Sequence, residues 1–418
     1  MIEVRPLSQC DGVVTIPGSK SYTHRALILS SLADGESVLI HALRCEDTEH
    51  TARGLLKFGV EIFWESDHVR VLGTGGTYKE TDEKIDVGNS GTSMRFLTAL
   101  AALKKGITLL DGNERMRRRP ISELLNGLGE LGVRAYSQKG KGYPPVIVES
   151  RGLKGGIVRI KGEESSQFLS GLLMVAPYGQ SDVNIEVTGS LASKPYVDIT
   201  LDVMSAFGVE ITNQGYRSFF IHAGQRYHPR KYRIEGDASN ASYFFSAAAV
   251  CRGKVEVKNL NPATLQGDVR FLHLLERMGC RVTRGGDRIG VVGGELYGVE
   301  MDMNEMPDLV PTLAVTAAFA RGKTVIQNIG HLRLKESDRI HALAVELSKT
   351  GIRVHEREDG LEIEGGKPHG AEIETYDDHR MAMSFAIAGL AVPGIKIKGE
   401  RCVDKSFPEF WETLQKLY

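Results

Sequence analysis

The chain lacks most of the features that would assign it at a glance. It has five cysteines, at positions 10, 45, 251, 280 and 402, and no C-x-x-C pair. That scatter predicts free thiols in a reducing compartment, not a disulfide framework. No His/Cys spacing points to zinc, and His379 has no second histidine in helical register, so no metal site is expected. Net charge is −1, from 52 basic and 53 acidic residues, which leaves no global basic field for nucleic acid. The longest apolar helical stretches, such as 313–320, fall far short of a membrane span. The opening Met1-Ile2-Glu3-Val4-Arg5 has no signal-peptide pattern. There is no G-x-x-x-x-G-K-[ST], and Gly73-Thr74-Gly75-Gly76 reads as a turn instead of a dinucleotide fingerprint. No Ser-His-Asp order stands out. These absences predict a cytoplasmic protein with no membrane, nucleic-acid or cofactor partner. Its 41% apolar and 25% charged content is ordinary for a globular chain.

What the chain does have is a repeat. Phe58-Gly59-Val60, Leu131-Gly132-Val133, Phe207-Gly208-Val209, Met278-Gly279-Cys280 and Thr350-Gly351-Ile352 mark helix ends spaced 71 to 76 residues apart. Glycine recurs there because a helix C-cap favours the left-handed conformation. Six units of about seventy residues fill the chain, the last starting near Tyr376. In the second unit, Asn89-Ser90-Gly91-Thr92 supplies an N-cap, a helix runs over 94–103, and Gly106 stops it. A strand follows over 107–110. Pro120 is expected in the first turn of the next helix, whose stripe is Ile121, Leu124, Leu125, Leu128 and Leu131. Gly132 ends that helix and a strand covers 133–136. The order is approximately βαβαββ, an α/β unit. The sixth unit lacks a closing strand, and residues 2–7 precede any unit, so the N-terminal strand is expected to complete it. One domain is then discontinuous, 1–17 plus 237–418, and the other, 18–236, is inserted. Two chain crossings, near 17–20 and 235–237, predict a hinge and a closing cleft.

Each unit opens its first helix with a polar cluster. These are Lys20-Ser21, Asn89-Ser90-Gly91-Thr92, Ser165-Ser166-Gln167, Asp237-Ala238-Ser239-Asn240, Pro307-Asp308 and Asp378-His379-Arg380. Any one alone reads as an N-cap. In an array of equivalent repeats, however, such helices share a direction, and their free N–H groups and dipoles favour a polyanionic ligand. The cations agree: Lys20 and Arg25, Arg115 and Arg117 to Arg119, Lys335, Arg339, Arg380 and Lys405 all sit near loop-to-helix edges. A run such as Arg117-Arg118-Arg119 taken alone reads as a solvated face. Arginines in a cleft bind carboxylate and phosphate bidentately. Asp308 and Glu336 are poor phosphate ligands. They suit proton transfer, tuned by Lys335 and Arg339, or else capping and ion pairing.

At these clusters the chain resembles the 5-enolpyruvylshikimate-3-phosphate synthase family of enolpyruvyl transferases. The matching segments span nearly its whole length. They are Pro17-Gly18-Ser19-Lys20-Ser21, Gly88-Asn89-Ser90-Gly91-Thr92-Ser93-Met94-Arg95, Arg115-Met116 with Arg119-Pro120, and Ser165-Ser166-Gln167-Phe168-Leu169. Ser193-Lys194-Pro195-Tyr196, Glu235-Gly236-Asp237-Ala238-Ser239 and Leu334-Lys335-Glu336-Ser337-Asp338-Arg339 follow, then Asp378-His379-Arg380-Met381-Ala382 and Lys405-Ser406-Phe407-Pro408. The resemblance implies an inside-out α/β barrel of two domains, each of three βαβαββ repeats. It implies transfer of enolpyruvyl from phosphoenolpyruvate to the 5-hydroxyl of shikimate 3-phosphate, in the shikimate pathway to chorismate and aromatic amino acids, by a monomer. Shikimate 3-phosphate falls to Lys20, Ser21, Arg25, Ser165, Ser166, Gln167, Ser193, Tyr196, Asp308, His331 and Lys335. Phosphoenolpyruvate falls to Lys20, Asn89, Gly91, Arg119, Gln167, Arg339, Arg380 and Lys405. Asp308, Glu336 and Lys20 are implied as the proton-moving residues, and glyphosate as a competitor of phosphoenolpyruvate.

The chain departs from the family pattern at three places. Phe96 stands where many members have Pro, and His331 and His24 stand where Asn is common. Two other readings are weighed against this one. The sister reaction, onto UDP-N-acetylglucosamine, goes with Lys-Asn where this chain has Lys20-Ser21, and with a cysteine in the loop that here runs over 111–119 without one. An anion- or RNA-end-binding protein on the same repeats is opposed by the neutral charge and the lack of aromatic-basic interleaving.

Overall fold

In the computed structural model, which describes residues 1–79, 83–286 and 288–418, the five repeat glycines each follow a helix end. All five are left-handed, with φ of 86° at Gly59, 83° at Gly132, 91° at Gly208, 110° at Gly279 and 83° at Gly351. Among the described residues there are twelve α-helices. They are α1 (Lys20–Leu32), α2 (Glu46–Lys57), α3 (Gly91–Ala101), α4 (Ser122–Glu130), α5 (Ser166–Val175), α6 (Lys194–Ala206), α7 (Ala238–Val250), α8 (Phe271–Arg277), α9 (Val310–Ala317), α10 (Arg339–Lys349), α11 (His379–Ala391) and α12 (Phe410–Gln415). None is long and apolar enough to cross a membrane.

The second repeat shows the strand order. Ile85–Asp86 lies parallel to Gly106–Asp111, bridged by α3. Gly106–Asp111 runs antiparallel to Val146–Ser150, which pairs antiparallel with Arg134–Ser137. Pro120 does not enter α4: Ile121 is the N-cap, and the Pro120 carbonyl accepts from Arg95 Nη2 at 3.0 Å instead of from a helical amide. The apolar stripe of α4 is buried as its spacing predicts. Ile121, Leu124, Leu128 and Leu131 are all 0% exposed, and each contributes about 2 kcal/mol by burial.

The chain divides into two compact units, Gly18–Ile234 and Met1–Pro17 with Glu235–Tyr418. The N-terminal Ile2–Glu3 pairs antiparallel with Lys396–Ile397 in the sixth repeat, in a sheet of only three strands. Two further pairings have no sequence signal. Asp11–Thr15 lies parallel to Lys254–Lys258 and opens the sheet of the fourth repeat, while Lys231–Arg233 lies parallel to the Asp34–Ile40 strand of the first.

Within each unit the first helices of the repeats form the core. Every residue of α7 and α9 is buried, and all of α11 except Ala391. Helices buried on all faces need small side chains, and their polar groups must pair with one another. Ser242 meets the Thr312 hydroxyl at 3.3 Å and Ser246 meets Thr316 at 2.6 Å. The second rung lies four residues beyond the first along both helices, so α7 and α9 run in the same direction. Thr312 also meets Ser384 of α11 at 3.4 Å. In the other unit α3 and α5 are buried except for Thr92 and Gln167 respectively, and α1 is buried beyond Ser21. There the residues that reach solvent lie in the first helical turns.

Two neighbouring glycines of one helix end make a test with opposite signs. Gly129 has nothing within 4 Å of an added Cβ and lies inside α4, whereas Gly132 is left-handed and its Cβ would press on Lys154. Gly129→Ala should therefore stabilise the protein by about 0.5–1 kcal/mol, and Gly132→Ala should destabilise it by about 1 kcal/mol. Urea unfolding curves of both variants against wild type give the comparison.

Candidate active site

In unit 18–234 the polar clusters of α1, α3 and α5 are joined laterally by side chains. Lys20, the first residue of α1, donates from Nζ to Asp47 Oδ2 at 2.8 Å. The Asp47 carbonyl accepts from Ser93 Oγ at 3.0 Å, and Ser90, the N-cap of α3, accepts from the Ser93 amide. His24 Nδ1 joins the same network through Thr51, at 2.8 Å. Gln167 Nε2 donates to Thr92 Oγ1 at 3.0 Å, which ties α5 to α3. Ser165 caps α5 by accepting from the Gln167 amide at 3.2 Å, and Ser166 is buried behind it. Lys20, Gly91 and Gln167 are thus gathered around one set of helix N-termini.

Two arginines of this set are buried. Arg119 Nη1 donates to the Asn89 carbonyl at 3.0 Å, and the start of α3 is open to it only because residue 91 is glycine. A Cβ at Gly91 would lie 2.4 Å from Arg119 Nη2 and 2.5 Å from Arg95 Nη1. The neighbouring arginines have a different role: Arg117 is spent on Asp111, at 3.0 and 2.6 Å, and Arg118 is exposed. Arg25 is 2% exposed and, among the described residues, donates only to neutral oxygens, Thr200 Oγ1 at 2.7 Å and the carbonyls of Ser21 and Tyr196, each at 2.9 Å, with Ser170 Oγ at 3.5 Å. Phe96 lies under it, with 5.3 Å from the guanidinium carbon to the ring centroid. Phe96 therefore packs against Arg25. Burial pushes Arg25 down to about 10. A buried cation with no carboxylate partner among the described residues is a place for an anion. Ser193, beside Tyr196, is a non-glycine residue at φ 56°, a strained conformation of the kind found at ligand sites.

In the other unit Asp308, Glu336, Arg339 and Arg380 form an ion cluster at the N-termini of α10 and α11. Arg339, 1% exposed, binds three carboxylates among the described residues. Its Nη1 meets Asp308 at 3.0 Å, its Nη2 meets Glu336 at 2.9 Å, and its Nε meets Asp378 at 2.8 Å. Asp308 also binds Arg380 Nη2 at 2.7 Å, so it bridges two arginines. Arg380 Nη1 reaches the Tyr243 hydroxyl at 3.3 Å. Asp378 accepts from Ser337 and caps α11 through the Arg380 amide. Burial alone would push the Asp308 carboxyl up. Arg380, Arg339 and Lys335 outweigh it and hold Asp308 well below the usual carboxylate range. Burial, then Lys335, pushes His331 down to about 4, so its ring is neutral at physiological pH. Lys405 is buried at the end of the 3-10 turn Glu400–Lys405. No group of three or more His, Cys, Asp or Glu among the described residues is placed to hold a metal ion.

The sequence candidates thus fall into two sets, one in each unit. Sequence reasoning missed Asp47 and gave Asp378 no role beyond its cluster. Asp47 lies in the acidic first turn of α2, where Glu46, Asp47 and Glu49 read as ordinary helix-dipole complements. Its pairing with Lys20, 27 residues away, is a tertiary fact.

Comparison with known proteins gives the family. Residues 4–414 match the family described as EPSP synthase (3-phosphoshikimate 1-carboxyvinyltransferase). A 3-phosphoshikimate 1-carboxyvinyltransferase of Sulfurovum sp. is 44% identical over 422 residues, covering 100% of this chain and 99% of the relative. One from Methanoculleus marisnigri is 45% identical over 416 residues, covering 99% and 98%. The solved EPSP synthase of Acinetobacter baumannii superposes with a TM-score of 0.82 at 29% identity, covering 99% of this chain and 97% of that one. With a match of this extent over both units, the chain belongs to the EPSP synthase (3-phosphoshikimate 1-carboxyvinyltransferase) family.

Proposed function

We propose that the two polar sets carry out the family's reaction, the transfer of enolpyruvyl from phosphoenolpyruvate to the 5-hydroxyl of shikimate 3-phosphate. The chain is an enolpyruvyl transferase of the shikimate pathway. In this reading it works as a cytoplasmic monomer. Ser21, Arg25, Ser165, Ser166, Ser193, Lys335 and His331 hold shikimate 3-phosphate, with Gln167 and Tyr196 against its ring. Lys20, Asn89, Gly91, Arg119, Arg339, Arg380 and Lys405 hold phosphoenolpyruvate. The buried Arg25, bonded among the described residues only to neutral oxygens, supports the assignment of an anionic group to it.

The observation that carries the reading is the Asp308–Arg339–Glu336–Arg380 cluster, which joins anion-holding and proton-moving groups. The 5-hydroxyl oxygen attacks C2 of phosphoenolpyruvate and loses its proton, and the methylene carbon gains one. The resulting ketal then breaks its bond to phosphate and returns a proton from the methyl group, leaving the enol ether and inorganic phosphate. In the free protein Asp308 is too strongly stabilised by its arginines to accept a proton. A substrate carboxylate that takes up part of Arg339 and Arg380 weakens that hold and raises the basicity of Asp308 when it is needed. Glu336 and Lys20 share the proton traffic at the methylene carbon. Phosphate release with shikimate 3-phosphate as acceptor, set against UDP-N-acetylglucosamine, is the direct test. Release with the latter alone would overturn the assignment.

Glu336→Gln keeps the shape at Arg339 and removes the exchangeable proton. Turnover should fall about a hundredfold or more, with substrate affinities within about tenfold. Steady-state kinetics at saturating substrates decide it, and near-normal turnover would leave Glu336 a structural partner only.

Gly91→Ala would push a methyl group onto the guanidinium of Arg119. Glyphosate, with its carboxylate and phosphonate, should compete with phosphoenolpyruvate. The variant should raise the glyphosate inhibition constant roughly ten- to a hundredfold, and much more than the phosphoenolpyruvate KM. Parallel titrations of wild type and variant check this, and an equal loss of both affinities would count against it.

A further inference from the structure

One carboxyl group beside the ion cluster has no place in the reaction as described. Asp268 lies in the 3-10 turn Gly267–Arg270 and is 4% exposed. This turn sits on the N-terminus of α7: Gln266 Oε1 accepts from the Ala238 amide at 3.0 Å, and Asp268 Oδ2 accepts from Ser239 Oγ. Arg270, at its end, is ion-paired with Glu305, just ahead of the turn that carries Asp308. The other oxygen, Asp268 Oδ1, is buried without a hydrogen-bond partner among the described residues. Such an atom is costly in an ionised carboxylate and cheap in a protonated one. The charged groups acting on Asp268 are Asp308, Arg380 and Asp237, the N-cap of α7.

We propose that Asp268 is a positioning residue for Arg380 and Asp308, and that it is neutral when an anionic substrate binds there and ionised when the substrate leaves at high pH. The proposal rests on the reading above, in which Arg380 holds phosphoenolpyruvate. Ionised, Asp268 is a second carboxylate competing with Asp308 for the field of Arg380. Protonated, it leaves that arginine to Asp308 and the ligand. Binding of an anion beside it favours the proton, and by reciprocity the proton favours binding. Burial, then the charge of Asp308, pushes Asp268 up to about 7, opposed by Ser239 and Arg380, so the change falls in the working range of the enzyme.

The test is the phosphoenolpyruvate KM at saturating shikimate 3-phosphate, from about pH 6 to about pH 9, for wild type, Asp268→Asn and Asp268→Ser. Between these limits the ratio of wild-type to variant KM should rise about tenfold, the scale of one pKa unit of coupling. The kcat ratio should move much less. Asn keeps the shape of the neutral acid and Ser keeps a hydroxyl near Ser239, so either variant alone suffices if the other does not fold. A second arm uses the free protein. The folded carboxyl holds its proton above its ordinary value of 3.8, so wild type loses stability as pH rises from about 4 to about 7. Above that the penalty is constant. Any advantage in Tm of Asp268→Asn over wild type should therefore be larger at about pH 8 than at about pH 5. KM profiles that run parallel in an active variant, or a Tm difference independent of pH, would overturn the inference. A wild-type enzyme that does not turn over these substrates would instead defeat the assigned activity.

Discussion

Close packing of helices that are buried on every side is the constraint on which each unit depends. Such a helix has no solvated face on which to place charge, so beyond their first turns α7, α9 and α11 are built from small residues and large, mostly apolar ones, and the charge of α11 is confined to its first two residues. Their hydroxyls pair across the repeats, Ser246 with Thr316 and Thr312 with Ser384, at sequence separations of 70 and 72 residues. The sequence repeat is therefore also the hydrogen-bonding repeat. In the α1, α3 and α5 set the residues that stay accessible are those of the first turns, where free amide groups lie. Packing thus decides where the chemistry is placed.

The two units meet the cost of buried charge in different ways. Unit 18–234 holds Arg25 against carbonyl and hydroxyl oxygens, with no carboxylate partner among the described residues, which leaves positive potential for a ligand. The other unit neutralises Arg339 and Arg380 with Asp308, Glu336 and Asp378. The first arrangement suits holding a fixed anion. The second suits proton transfer, because the acidity of a carboxylate shared between arginines shifts whenever a substrate anion takes part of their charge. Asp268, a few residues from the start of α8, extends that logic to a proton held next to the cluster.

Much of this was legible along the chain. The glycine spacing marks the helix ends because only a left-handed residue closes them there, and the stripe of α4 follows from helical period alone. Lys20, Ser21, Gly91 and the Ser165 cluster stand out because polar and small residues precede helices rich in Ala or Leu. Other features were not legible. Pro120 reads as a first-turn residue, but its carbonyl is taken by Arg95, a partner 25 residues away. The run Arg117-Arg118-Arg119 looks uniform, yet Arg117 is bound by Asp111 and only Arg119 turns inward to Asn89.

The amino-acid sequence by itself determined the repeat, the α/β class of its unit, the five glycine-marked helix ends and the identity of the polar clusters, because these depend on periodicity and on backbone preferences within a few residues. Only the tertiary structure decided the partners. It set Asp11–Thr15 into the fourth repeat and Lys231–Arg233 into the first, and it gave Lys20 to Asp47 and Asp308 to two arginines. The physical reason is that pairing energies at these sites depend on distance and burial. Both are set by how helices far apart in the chain pack together, and no local pattern encodes them.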